Sequence, residues 1–174
     1  MDIEFIKEMY FKELEAKSVH EGRISIQVGL LVVIGSILLF VVKNPVTTED
    51  RLYEILFWVL LFFAFLFFFL SIIYVFKANI GHSYERLPRA DIVYDYFLKL
   101  NNYYTLNKNI TGSAEQDFEE YLKRKMVEAT SRNTDVNLLR SARNHTAVVL
   151  MAVTVAFSLI SGLISLRGLS TEST

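Results

Sequence analysis

Apolar residues form three long blocks, and between them they recur every three or four positions. Residues 24–42 (ISIQVGLLVVIGSILLFVV), 55–76 (ILFWVLLFFAFLFFFLSIIYVF) and 146–166 (TAVVLMAVTVAFSLISGLISL) contain no Asp, Glu, Lys or Arg. A helix as long as the second block reaches roughly 33 Å, enough to cross a hydrocarbon core about 30 Å thick. One small soluble domain rarely surrounds a wholly apolar helix on every side, so the blocks predict membrane spans. The expected fold is all-α: an integral membrane protein with three transmembrane helices and a long cytoplasmic helical hairpin. Residues 1–23 read as an amphipathic cytoplasmic helix, 24–77 as a transmembrane hairpin with spans at 24–42 and 55–76, and 78–145 as a cytoplasmic helical region. Residues 146–167 form the third span and 168–174 a short polar tail.

The intervening stretches carry a helical period. Ile3, Ile6, Tyr10 and Leu14 make one stripe, with Phe5 and Met9 widening it. This opening is acidic, unlike the basic start of a signal peptide, so the chain is expected to be retained whole. The connection at 44–54 has Asn44-Pro45 as a breaker, and Thr47 or Thr48 with Glu49 and Asp50 suits the start of the next helix. Between 83 and 108, Ile92, Val93, Tyr96, Phe97, Leu100, Tyr103 and Tyr104 keep the period, and Pro88 is expected to kink or restart that helix. A turn is predicted at 109–112. Ser113 with Gln116 forms a capping-box pattern, opening a helix with Phe118, Leu122, Met126 and Ala129 on one face. No proline or glycine occurs from Ala114 to Ser161, so this helix can continue into the third apolar block.

Composition narrows the chemistry. The chain has no cysteine, which excludes disulfides, thiolate catalysis and cysteine metal sites. Its net charge of -1 hides an asymmetry. Lys7, Lys12, Lys17 and Arg23 lie before the first span, and Arg86, Arg89, Lys99, Lys108, Lys123, Arg124, Lys125, Arg132, Arg140 and Arg143 lie between the second and third. The connection at 44–54 offers only Arg51. The positive-inside rule therefore places the N-terminus and the helical region in the cytoplasm and the C-terminus outside.

Two constellations stand out. Thr130, Asn133, Asn137, Arg140 and Asn144 alternate by three and four residues and share a helix face. That face is either solvated or a polar seam that fixes register against other subunits or a ligand. Nucleotide or RNA binding by Arg132, Arg140 and Arg143 is the weaker alternative, since neither aromatics nor phosphate-cradling glycines accompany them. In the third span, Thr154, Ser158, Ser161 and Ser165 share a face with Gly162 beside them, which suits close helix packing or the wall of a membrane path. In the first span, Ser25, Gly29, Gly35 and Ser36 offer close approach to another helix, and Gln27 is expected to reach the headgroups. None of the spans holds a charged residue, which argues against a proton-coupled pump. His20, His82 and His145 each precede or follow a span, yet their spacing gives no ligand set, so no metal or cofactor is expected. No hydrolase, dinucleotide or P-loop pattern is present, and no catalytic residues are assigned.

The layout of an N-terminal helix, a two-span hairpin and a long cytoplasmic helical section resembles the SLATT group of bacterial membrane effectors. Residues 10–42, the hairpin through Phe76, SYERLP at 83–88 and YLKRKMVEATSRNTDVNLLRSARN at 121–144 carry the resemblance, and the third span departs from the simple two-span pattern. The resemblance implies a homo-oligomer in the bacterial inner membrane that permeabilises or depolarises it when an antiviral system is triggered. The implied partners are the lipid bilayer, further copies of the chain, and a cytoplasmic sensor protein or a nucleotide or nucleic-acid signal; stable DNA binding is not expected. Asn133, Asn137, Arg140 and Asn144 would then set assembly or receive the signal. Thr154, Ser158, Ser161, Gly162 and Ser165 would line the membrane path or pack helices. The competing expectation is a non-conducting anchor that recruits a soluble partner through residues 84–125.

Overall fold

The computed structural model describes residues 2–46, 51–107 and 111–171, with side chains as far as Leu166. The described chain is all-helical: α1 (Ile3–Lys43), α2 (Arg51–Asn79), α3 (Ala90–Leu106) and α4 (Ala114–Thr171). Of these, α1, α2 and α4 are long and apolar enough to cross a membrane. The helix-start signal at Thr47, Thr48, Glu49 and Asp50 lies outside the described residues, as do Asn109 and Ile110 of the expected turn.

The amphipathic opening and the first apolar block belong to one 41-residue helix, α1. Gly22 and Gly29 lie inside it; each costs about 1 kcal/mol relative to alanine, which packing along the rest of the helix outweighs. The start of α4 is as the capping pattern predicts in one half: Ser113 Oγ accepts the Gln116 N–H at 3.2 Å. Gly112, at φ 129°, makes the turn before it in a conformation other residues rarely adopt. The helical period from 83 is truncated. Residues 82–89 are non-helical, and α3 begins only at Ala90. The cause is Pro88, which lacks an N–H and disfavours helical dihedrals at Leu87. Arg89 follows with φ −58° and ψ 149°, the polyproline conformation.

The contacts divide the chain into two compact units: Met1–Val19 with His82–Leu138, and His20–Gly81 with Leu139–Thr174. In the first, α3 lies on α4 through Tyr96 against Tyr121, ring centroids 4.4 Å apart, and Phe97 against Phe118 at 5.1 Å. Tyr104 donates to Asp117 at 2.7 Å. From α1, Ile6 and Tyr10 are buried, whereas Phe5 and Met9 stay 52% and 41% exposed instead of widening the stripe.

The second unit is a three-helix arrangement. Its α1 and α4 segments run in the same direction, since Gln27 meets Asn144 and Asn44 meets Ser165. The core gathers Ile34, Leu38, Val41, Phe57, Leu61, Ala64, Ala147 and Met151. The small-residue face expected on α1 is not the packing face, because Ser25, Gly29 and Ser36 are exposed. Only Gly35 is closely approached: a Cβ there would stand 3.4 Å from the Phe68 ring.

The buried positions of all three long helices follow a 3.5-residue repeat. In α2 they are Phe57, Leu61, Ala64, Ser71, Val75 and Ala78, with half-buried Phe68 filling the gap. In α4 they run Met126, Thr130, Asn133, Asn137, Arg140, Asn144, Ala147, Met151, Thr154, Ser158, Ser161 and Ser165. Steps of four and three alternate throughout, which is the spacing of left-handed coiled-coil packing. The α4 seam is polar or small, while Leu159, Leu163 and Leu166 on its other faces are 56%, 63% and 63% exposed.

Candidate functional site

The polar residues of α4 are where the sequence pattern put them, on one face, but that face is turned into the chain's own fold. Asn133 and Asn137 belong to the first unit, Arg140 and Asn144 to the second.

In the first unit, Asn133 is wholly buried and grips the non-helical segment at Glu85. Its Oδ1 accepts the Glu85 N–H at 2.9 Å and its Nδ2 donates to the Glu85 carbonyl at 3.1 Å. One amide thus supplies both a donor and an acceptor to the backbone of a single residue. Glu85 Oε2 also meets Arg132 Nη1 at 3.0 Å, an exposed pair of small energetic weight. On either side, the Tyr84 hydroxyl donates to Asn137 Oδ1, and the Leu87 N–H donates to the Tyr10 hydroxyl at 3.3 Å. Asn137 Nδ2 in turn donates to Glu13 Oε2 at 2.7 Å and to the Glu13 carbonyl at 3.0 Å. Lys17 Nζ stands 5.3 Å from the Tyr84 ring centroid, a cation–π contact. The segment carrying SYERLP is therefore a strap held to α4 by the Glu85 backbone and the Tyr84 hydroxyl, and to α1 by the Leu87 N–H.

In the second unit, Arg140 is 3% exposed and caps α2. Its Nε donates to the Ala78 carbonyl at 3.0 Å and Nη2 to Asn79 Oδ1 at 3.4 Å, while Arg143 Nη1 donates to the Lys77 carbonyl at 2.6 Å. The last carbonyls of a helix have no partner within it and carry its negative dipole end, so two guanidinium groups satisfy both needs. Gly81, at φ 83°, ends the segment.

Beside this cap, Asn144 Oδ1 accepts from Gln27 Nε2 at 3.2 Å, and its Nδ2 lies 3.5 Å from His20 Nδ1. Gln27 is 5% exposed, so it does not reach outward to headgroups; a polar seam on α4 gives it an inward partner. Burial pushes the His20 pKa down, and the positive charges of Arg140 and Arg23 push it the same way. Folded His20 thus binds its proton less readily than in the unfolded chain. Its contribution to stability is full above the unperturbed value of 6.5 and is lost as pH falls through that value towards the folded one. We expect thermal unfolding in detergent to shift to lower temperature between pH 8 and pH 5.5. His20→Gln should flatten that dependence, and an unchanged acid shift would remove His20 as its source.

The hydroxyl residues of the third apolar block are likewise buried. Thr154, Ser158 and Ser161 donate to the carbonyls of Leu150, Thr154 and Phe157, four residues back on their own helix, at 2.9, 2.8 and 2.9 Å. Ser165 instead reaches the residue that follows α1, donating to the Asn44 carbonyl at 2.6 Å. Gly162 faces Val41, whose Cγ2 would lie 3.8 Å from an added Cβ. The arrangement serves close packing of α4 on its neighbours.

Among the described residues no group of three or more His, Asp or Glu side chains converges on a point that could hold a metal ion. The grip of Asn133 on Glu85, and the pair Ala147 and Met151 that joins the two polar stretches of α4, are not visible as site features in the sequence, and Gln27 turns inward where an outward role is expected. The heptad spacing was the signal that could have found Ala147 and Met151. Compared with family models, curated proteins and solved structures, the chain matches none of them.

Proposed function

We propose that this chain is a small effector of the bacterial inner membrane that self-assembles and permeabilises or depolarises the membrane when an antiviral system is triggered. The observation that carries the membrane reading is the apolar surface of the second unit, set against small and hydroxyl side chains within it. Small and hydroxyl side chains (Ala64, Ser71, Ala147, Thr154, Ser158, Ser161) are fully buried or nearly so, while Val32, Phe40, Phe62 and Leu163 are more than 60% exposed. In water that arrangement would be costly; in lipid, large apolar side chains face the solvent and small ones bring helices together. The excess of Lys and Arg in 1–23 and 78–145 supports a cytoplasmic N-terminus. The resemblance to SLATT effectors supports the antiviral role and a cytoplasmic protein or nucleotide trigger.

In this reading the described fold is the closed form. Its polar seam is satisfied internally except at the Thr130 hydroxyl, which is buried without a partner, and activation turns part of that seam towards water in an assembly. Inducing the gene in phage-challenged bacteria should collapse the membrane potential reported by a voltage-sensitive dye. Ser161→Leu, which forces a large side chain into a fully buried position at a cost of about 1–3 kcal/mol, should weaken the collapse. An intact potential in challenged, expressing cells would overturn the effector reading.

One observation favours a second reading, the non-conducting anchor. Helix α3 has no buried residue, and Ile92, Tyr94 and Tyr103 are 53%, 61% and 52% exposed. Affinity purification separates the two: a stoichiometric soluble protein without leakage supports the anchor, and a self-assembled ring with leakage supports the effector.

A further inference from the structure

A row of three buried polar side chains joins α1 to α4 in the second unit. His20, Gln27 and Asn144 are all buried. Gln27 Nε2 donates to Asn144 Oδ1 at 3.2 Å, which turns the other half of that amide, Nδ2, towards His20 Nδ1 at 3.5 Å. An amide nitrogen offers only donors, so the ring nitrogen that it faces is an acceptor and the ring is neutral.

The charges around the ring do not favour a proton on it. Arg140 of α4 and Arg23 of α1 act on it, and both are positive. Arg143 of α4 sits on the Lys77 carbonyl at the capped end of α2. Glu21, beside His20 in α1, is exposed. Among the described residues no carboxylate is paired with the ring.

A proton on His20 changes both the hydrogen bonds and the charge. The protonated ring has donors at both nitrogens, so Asn144 Nδ2 then faces an N–H. Turning the Asn144 amide over repairs that contact and breaks the one to Gln27. Gln27 has to turn as well, bringing in its Oε1, which is buried without a partner. This reversal leaves the charge where it was. A second positive charge beside buried Arg140 is opposed by desolvation and by Coulomb repulsion alike. Arg140 is held by two acceptors of α2, the Ala78 carbonyl and Asn79, whereas the ring has one long contact, so the ring is the group that yields.

We propose that His20 is a proton-operated latch: neutral, it joins α1 to α4 through Asn144; protonated, it parts from Arg140 and opens the α1–α4 seam at this end. The closed form binds the proton less readily than a form in which the ring meets water. Falling pH therefore moves the chain towards the open form, and rising pH restores the closed one. The excess of Lys and Arg on this side of the spans makes the cytoplasm the source of the proton. The inference rests on the effector reading above, to which it adds acid as a bias against the closed form.

The test uses the absence of cysteine from the chain. Ala147, wholly buried and the next seam position after Asn144, is replaced by cysteine in the full chain purified in detergent. Its rate of alkylation by N-ethylmaleimide is divided by the rate for the chain unfolded in SDS at the same pH, which removes the titration of the thiol itself. That ratio should rise by at least about threefold from pH 8 to pH 5.5. With His20→Gln added, it should stay at its pH 8 value. With Asn144→Asp added instead, a carboxylate accepts from the protonated ring, and the rise should disappear or move to lower pH. A flat ratio in the Ala147→Cys chain, or the same rise with His20→Gln, overturns the proposal. If His20→Gln loses the helical circular dichroism of the parent, Asn144→Asp decides, and an unchanged rise at the same pH overturns the latch. Dye release from vesicles of phosphatidylethanolamine and phosphatidylglycerol separates the two readings. Vesicles that stay sealed at both pH values while the cysteine opens with acid overturn the effector reading and support the latch.

Discussion

Replacing Asn133 with alanine should release the strap and make the chain sensitive to trypsin after Arg86. The parent protects that bond because the Glu85 N–H and carbonyl are both held by one buried amide. Alanine removes both hydrogen bonds and leaves a buried donor and acceptor unmet, a loss of about 2 kcal/mol or more. Where local opening is fast, cleavage follows the population of the open form, so digestion should speed up by about thirtyfold. Arg132→Ala removes only the exposed ion pair to Glu85 and should change the rate less than about fivefold. Limited proteolysis followed by mass spectrometry reads both variants. Equal rates for Asn133→Ala and parent would mean that the strap is held by something other than this amide.

The second large effect is expected at Arg140. Alanine there uncaps α2 at Ala78, takes the donor from Asn79 and leaves space in a site that is 3% exposed. Charge-assisted hydrogen bonds contribute about 1.5–3 kcal/mol each, and the cavity adds to the loss. Lysine should not rescue it, because a point-like ammonium lacks the fork that serves a carbonyl and an amide together. Methionine should recover part of the packing loss. A further readout moves only if Arg140 acts electrostatically on its neighbour. Its charge helps hold the His20 pKa down, so in Arg140→Met the His20 titration followed by NMR should move up towards 6.5. Thermal unfolding that is unchanged in Arg140→Ala would reject the capping role.

Both residues lie on a face that could be drawn from the sequence, yet its purpose could not. The spacing of Thr130, Asn133, Asn137, Arg140 and Asn144 is visible by counting. What it cannot reveal is that the partner of Asn133 is the backbone of Glu85, 48 positions away, since any residue type presents the same N–H and carbonyl. The three apolar blocks and the Ser113 cap were legible because each depends on local composition alone. The seam of α4 was harder. A strict 3.5-residue repeat drifts ~20° per heptad around a straight 3.6-residue helix, so over 58 residues a helical template breaks the stripe into separate pieces. Ala147 and Met151 look like ordinary members of an apolar block, and only counting in heptads joins them to Asn144 and Thr154. Gln27 was misread for a related reason. Near the end of a span a polar side chain can turn outward or inward, and Asn144 on another helix decides which.

The hydroxyl bonds of α4 have a mechanical consequence. Thr154, Ser158 and Ser161 carry their acceptors with them on the same helix, so a rotation or axial slip of this segment breaks none of those bonds. Its polar ties to α1, to the Asn44 that follows α1, and to α2 in the second unit sit at Arg140, Arg143 and Asn144 near one end and at Ser165 near the other. Among the described residues the stretch between behaves as a spindle pinned by hydrogen bonds at its tips and held along its shaft by packing alone, with Phe157 against Phe63 and Phe67.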